Sequence, residues 1–465
     1  MKPLSWMVAL GVASCGFALA QVATPAPEKA DGRPAALTNA ELLDMAREVT
    51  PVVERLRGWK FKHPVKTEIY TEPQLRTYLE KKIFEEQLGP DKLPRNEAFL
   101  RTVGLIPADC DLRKTILDVL LSQVGGFYDP GTRAFYMLKR EGVDYGPLLN
   151  RVMIAHELTH ALDDQHLDLN RYMSSKELTE DSSLALAGVV EGSATLLMSH
   201  YMVDVINSGT LSDEPNRLME NMQGVMQAEM VRAKTLLEAP RYFSALLAGY
   251  LAGSAFLSHG QFEVMADASQ GPLIGRRVKD ALADLPQSSE QMLHPDKYWD
   301  RTKRDHPIVV DDKSVERWLA APGRHVVYHD TVGELLCAVL TAPADEPLDM
   351  TAAVAAGYWT NDAAMGWGGD RFYLLAEGES AADAGKRLSG LRGVWITLWD
   401  SATDPEEFES DYSLRRPDES RQVRPLGALG RVFYFGFSTD EVNALHAKLE
   451  GAPLRFRRSK DAWKP

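Results

Sequence analysis

Apolar residues recur at three- and four-residue spacing through 41–57, 73–87, 111–124, 148–166, 181–206, 214–237 and 239–258, and this period predicts a run of helices. A hairpin interrupts it. Over 126–137, aromatic residues that favour strands (Phe127, Tyr128, Phe135, Tyr136) flank an Asp129-Pro130-Gly131 turn. Beyond about 320 the pattern changes again, and short strands are expected at His325–His329, Arg371–Leu375, Val394–Leu398 and Val432–Phe437, alternating with helices. Two of those helices open on capping-box sequences, Thr331 with Glu334 and Ser438 with Glu441. The expected organisation is a mainly helical domain over 41–305, containing the small hairpin, and a separate α+β domain over 320–465. Gly366-Trp367-Gly368-Gly369-Asp370 is no phosphate loop, because no Lys-Ser/Thr follows it.

The first residues read as an export signal: Lys2 precedes an apolar stretch from Leu4 to Leu19, and Ala18-Leu19-Ala20 offers small residues where a signal peptidase cuts. A mature chain beginning at Gln21 is expected, in the periplasm or outside the cell. Val12-Ala13-Ser14-Cys15 also resembles the box ahead of a lipidated cysteine, but the apolar run continues to Ala20 where a polar tether would follow, so a lipid anchor at Cys15 is not favoured. Residues 21–40 carry Ala, Pro and charge without apolar periodicity and read as a flexible tether. The longest later apolar run, Tyr242 to Leu257, is too short to span a bilayer, so no transmembrane segment is expected after the signal.

Composition adds two exclusions. A net charge of −14 argues against a protein built to bind nucleic acid. Only Cys110 and Cys337 follow the signal; an export compartment would permit them to pair, but two cysteines do not make a disulfide scaffold.

The chemistry lies in His156-Glu157-Leu158-Thr159-His160. One helical turn separates the two histidines, the spacing at which two imidazoles hold one zinc ion, and Glu157 beside them is placed to act on a water there. At about 100° per residue, Ile154, Leu158, Ala161 and Leu162 form an apolar stripe and the histidines fall opposite it, toward a cleft. Two residues could complete the ligand set. His166 gives His-Glu-x-x-His-x-x-Asp-x-x-His, but Asp163 stands where a sharp turn would need glycine, and on an unbroken helix His166 lies about 9 Å further along the axis than His160. Glu191 sits instead on a stripe of Leu184, Ala187, Gly188, Ala194, Thr195 and Met198, where a carboxylate needs a cation partner or a shifted protonation. Gly188 and Gly192 weaken that helix by about 1 kcal/mol each, which makes sense if another helix passes close by. Glu191 is the preferred third ligand. Asp164 is better explained as a capping or solvated carboxylate than as a support for a ligand. His200, His259, His294, Tyr250 and Tyr298 are possible oxyanion donors, and none is assigned.

His156-Glu157-Leu158-Thr159-His160-Ala161, with Glu191 on a following helix, resembles the gluzincin branch of the zincin metallopeptidases. The longer pattern is similar to a group of exported bacterial proteins of zinc-metallopeptidase type, through Gly126–Pro130, Ala161–His166, Val190–Ala194, Tyr250–Phe256 and Ser289–Tyr298. The resemblance covers residues 100–300 well and the C-terminal part loosely. It implies a zincin fold in the helical domain, Zn2+ held by His156, His160 and Glu191, and hydrolysis of a polypeptide substrate with Glu157 as general base. By its position ahead of the zinc helix the hairpin lies where zincins pair a strand with extended substrate, and an ordinary core hairpin is the equal alternative. The competing expectation is a catalytically idle zinc-binding protein of the envelope, acting as a binding or assembly factor.

Overall fold

The computed structural model describes residues 38–139, 146–175, 177–208, 238–343, 349, 352–451 and 454–459. The expected signal, Cys15, most of the tether and the helix at 214–237 lie outside them. The described chain is a mixed α+β structure of many helices and small sheets.

Helix α1 (Asn39–Arg57) opens on a capping box formed by Thr38 and Glu41 and stops at Gly58, which takes a left-handed φ of 74°. Strand β1 (Lys66–Thr71) leads into α2 (Glu72–Leu79), a π-helical stretch (Glu80–Leu88), α3 (Gly89–Thr102) and α4 (Leu112–Gln123). The hairpin forms as β2 (Gly126–Asp129) and β3 (Ala134–Lys139), antiparallel. β1 joins it in parallel on the far side of β3, giving a three-stranded sheet ordered β1-β3-β2. That third strand is not evident in the sequence, because its partner lies more than sixty residues away and its own residues are only partly buried.

Helices α5 (Gly146–Leu167) and α6 (Glu180–Asn207) follow. α6 is long and apolar enough to cross a membrane by length and composition, yet 89% of its most apolar window is buried inside the protein. It is the central helix. α1, α5, α8 (Ala248–Ser258), α9 (Gly271–Ala283) and α10 (Ser289–Leu293) surround it, and α7 (Arg241–Ala245) leads into α8. The stretch expected as one helix over 239–258 is therefore two, broken at Leu246 and Leu247. α8 crosses α6 at backbone contact: a Cβ on Gly192 would lie 2.3 Å from the Gly253 carbonyl carbon, and one on Gly253 would lie 2.2 Å from the Gly188 oxygen.

Strand β4 (Ile308–Val310), α11 (Asp312–Leu319), β5 (Arg324–Asp330), α12 (Gly333–Thr341), β6 (Trp367–Glu377), β7 (Arg392–Trp399), α13 (Asp404–Arg415), β8 (Gln422–Pro425), β9 (Gly430–Phe435), α14 (Thr439–Gly451) and β10 (Phe456–Arg458) complete the chain. An antiparallel five-stranded sheet runs β5-β6-β7-β9-β8, and β10 pairs with β4. The Ser438–Glu441 capping box forms. The one expected at Thr331 does not. Glu334 turns instead to His294 and Thr360, and the amides of Val332, just before α12, and of Gly333, its first residue, donate to the Asp370 carboxylate at 2.9 and 2.8 Å. Trp367 and Trp395 also donate to Asp370, so a buried acid from β6 does the capping. Cys110 and Cys337 are both free thiols.

One apolar cluster joins residues on both sides of 305–320, from Leu75 through α6 and α8 to Phe433 and Phe435, while Val310, Val315, Trp318 and Leu319 pack in a separate cluster. Polar contacts tie the same region. The amide of Glu180, first in α6, donates to Asp330 at 2.7 Å, that of Asp181 donates to the Thr331 carbonyl at 3.3 Å, and Ser289 donates to Asp181. Gly333, at a φ of 81°, lies so near Asp181 that a Cβ would sit 1.9 Å from its carboxylate. A chain ended at 319 is therefore expected to lose cooperative folding, because it exposes this core and strips the Glu180 and Asp181 amides of their acceptors. Thermal melting by circular dichroism checks this, and a fragment that melts sharply would refute it.

Candidate metal centre

α5 is apolar on the side of Ile154, Leu158, Ala161 and Leu162, which pack in one cluster with α1 and the hairpin. His156 and His160 are on the opposite side, as the period requires, but they do not face an open cleft. They face α6, and burial is nearly complete: 0% exposure at His156, 5% at His160, 3% at Glu157 and 1% at Glu191. α6 has almost no polar face, so it covers whatever side of α5 it meets.

Across that interface Glu191 Oε2 lies 3.3 Å from Nε2 of His156 and 3.3 Å from Nε2 of His160, and the two Nε2 atoms are 3.1 Å apart. The structure thus brings three of the expected residues together. It does not bring His166, which stays on the continuous helix, stacks on Trp59 with ring centroids 4.9 Å apart, and donates from Nε2 to the Lys60 carbonyl at 2.8 Å. Asp163 is helical too, and the chain turns left-handed only at Asp168, with φ 54°.

The donor set fits a zinc ion. Tetrahedral bonds of about 2.0–2.1 Å place neighbouring donors roughly 3.3 Å apart, close to the observed separations. Two imidazole nitrogens and a carboxylate oxygen grouped this closely inside an apolar interface could hold a metal ion. Nδ1 of both rings and Oε1 of Glu191 have no partner among the described residues.

From the protein groups alone, burial pushes His156 below its ordinary value. Burial also opposes charge on His160, but the Glu191 carboxylate outweighs it and drives that pKa up to about 9. Glu191 itself is held low, since the histidines outweigh its burial. Burial pushes Glu157 up to about 8, against the Tyr128 amide that donates to its Oε2 at 2.8 Å. That bond aims the free edge of β2 at the acid. Asp164 accepts from the Tyr128 hydroxyl at 2.8 Å and the Leu169 amide at 2.9 Å, so it joins hairpin to helix end and supports no ligand.

Of the possible oxyanion donors, Tyr250 is beside the centre, its ring 6.1 Å from that of His156. The others have different partners: His200 the Val264 carbonyl, His294 Glu334, Tyr298 the Asp284 carbonyl, and His259 the Trp299 ring. Sequence reasoning missed Arg57. It is fully buried at the end of α1 and joins Asp163 and Ser193 in one hydrogen-bonded group. Nothing local marks it, since a basic residue in the last helical turn ordinarily faces water.

The family profile described as a domain of unknown function (DUF8575) matches residues 323–444, the part that carries the five-stranded sheet. No curated protein and no solved structure matches the chain.

Proposed function

We propose that the protein is an exported zinc-dependent metallopeptidase of the zincin class, with His156, His160 and Glu191 as metal ligands and Glu157 as general base. One observation carries the proposal: His156, His160 and Glu191 converge inside an apolar helix interface with Glu157 beside them. Zinc, when bound, supplies a Lewis acid that makes water a nucleophile near neutral pH and polarises a carbonyl. Glu157 takes the proton of the attacking water and returns it to the leaving amine. The Tyr128 amide holds the Glu157 carboxylate in place. Glu191 neutralises part of the metal charge, and the apolar helices exclude bulk water.

Glu157→Gln is expected to keep about one zinc per chain and to lose roughly 10²–10⁴-fold in peptide hydrolysis, because the residue moves protons and does not coordinate. Metal analysis together with a proteome-derived peptide cleavage assay checks both halves. Undiminished cleavage would remove Glu157 from the mechanism.

The depth of the site favours a second reading, in which the protein binds zinc without catalysis and acts as an envelope binding or assembly factor. With every ligand at 5% exposure or less, a substrate has little room to approach. Zinc-loaded wild type that cuts no peptide would establish that reading.

A further inference from the structure

Arg57 is 0% exposed, and its Nη2 donates to Asp163 Oδ2 at 2.7 Å and to Ser193 Oγ; Ser193 Oγ donates to the same Asp163 oxygen at 2.6 Å. One guanidinium thus ties together three helices. The arrangement is expensive, since Arg57 Nε and Nη1 and Asp163 Oδ1 are buried without partners. A buried ion pair seldom adds net stability over apolar residues of the same volume, so its presence calls for another explanation.

Its location supplies one. Asp163 is three residues past His160 on α5, and Ser193 is two past Glu191 on α6. The group therefore fastens the two helices that carry the metal ligands within a turn of those ligands. Its seat is built for it: a Cβ on Gly275 of α9 would lie 3.1 Å from Arg57 Cδ, and one on Gly271 would lie 2.0 Å from the Leu56 carbonyl oxygen. Donor atoms on separate helices must be held within about 0.5 Å to form one metal site, and apolar packing between helices leaves more freedom of slide than that. A directional group with one acceptor on α5 and one on α6 removes it.

We propose that Arg57, Asp163 and Ser193 form a positioning clamp that sets the register of α5 against α6, and so the geometry of the His156, His160 and Glu191 donors. The inference rests on the zinc reading above. Its test is zinc affinity by chelator competition, with the visible absorption spectrum of the cobalt-substituted protein as a report of ligand geometry.

The double variant Arg57→Met/Asp163→Leu replaces the ion pair by apolar volume. It is expected to melt at or near the wild-type temperature, to bind zinc about tenfold or more weakly, and to show an altered cobalt spectrum. A folded double variant with wild-type affinity and spectrum overturns the clamp. Where the double variant fails to fold, Ser193→Ala decides, because it removes one arm and strands no charge. A smaller loss of affinity with a shifted cobalt spectrum supports the clamp, and an unchanged pair of readings overturns it. Wild-type protein that binds no zinc overturns the proposed function and the clamp together, whereas zinc-binding wild type with unaffected variants overturns the clamp alone.

Discussion

Replacing Glu191 by alanine is expected to abolish stoichiometric zinc binding, whereas His166→Ala is expected to leave it intact. Glu191 Oε2 stands 3.3 Å from each imidazole nitrogen, and among the described residues no other carboxylate joins this group. Its removal leaves two neutral donors inside an apolar interface and strips the charge that offsets the metal. The affinity lost should exceed the about 10–100-fold that loss of a supporting residue costs. His166 is engaged elsewhere, between the Trp59 ring and the Lys60 carbonyl, so truncating it removes a surface contact and no donor. Zinc stoichiometry after dialysis, with circular dichroism to confirm folding, separates the two variants. Zinc lost in His166→Ala and kept in Glu191→Ala would place the third ligand on α5 and refute the assignment.

The contrast between those two residues shows what the chain discloses on its own. Helical period places His156 and His160 on one side of α5, opposite Ile154 and Leu158, and a carboxylate on a stripe of small residues marks Glu191 as needing a cation partner or a shifted protonation; both inferences use spacing within one element. Gly188 and Gly192 likewise announce a close helix crossing, and α8 makes it with Gly253. What was not legible depends on a partner distant in sequence. The side of α5 opposite the apolar stripe reads as a cleft until α6 is laid over it. Thr331 has the sequence of a cap, yet Asp370 takes the amides at the start of α12 because β6 delivers its carboxylate to them. β1 has no hairpin signal, since it pairs in parallel across the intervening helices. Arg57 ends an amphipathic helix as a solvated charge would, and only α5, α6 and α9 together make it a buried one.

The close crossing leads to the other large expected effect, for Gly192→Ala. Within a helix, alanine in place of glycine ordinarily stabilises by about 1 kcal/mol. Here the sign should reverse. The added Cβ would meet the Gly253 carbonyl carbon at 2.3 Å, its oxygen at 2.5 Å and the Ser254 nitrogen at 2.7 Å. All three are backbone atoms, so no side chain can rotate away and the two helices must separate by about 1 Å to restore van der Waals distances. A cost of about 3 kcal/mol or more is expected, the upper range for overpacking, and a lowered urea midpoint would measure it. Gly249 on the same helix α8 is the control: its nearest neighbour to a Cβ is Ala187 Cβ at 3.6 Å, an ordinary contact, so Gly249→Ala should be neutral or stabilising by up to about 1 kcal/mol. The displacement also reaches the metal centre, because Glu191 precedes Gly192 and moves with it. Gly192→Ala should therefore weaken zinc binding even at temperatures where the variant remains folded, while Gly249→Ala should not. A Gly192→Ala protein as stable as wild type would mean that α6 and α8 cross further apart than backbone contact.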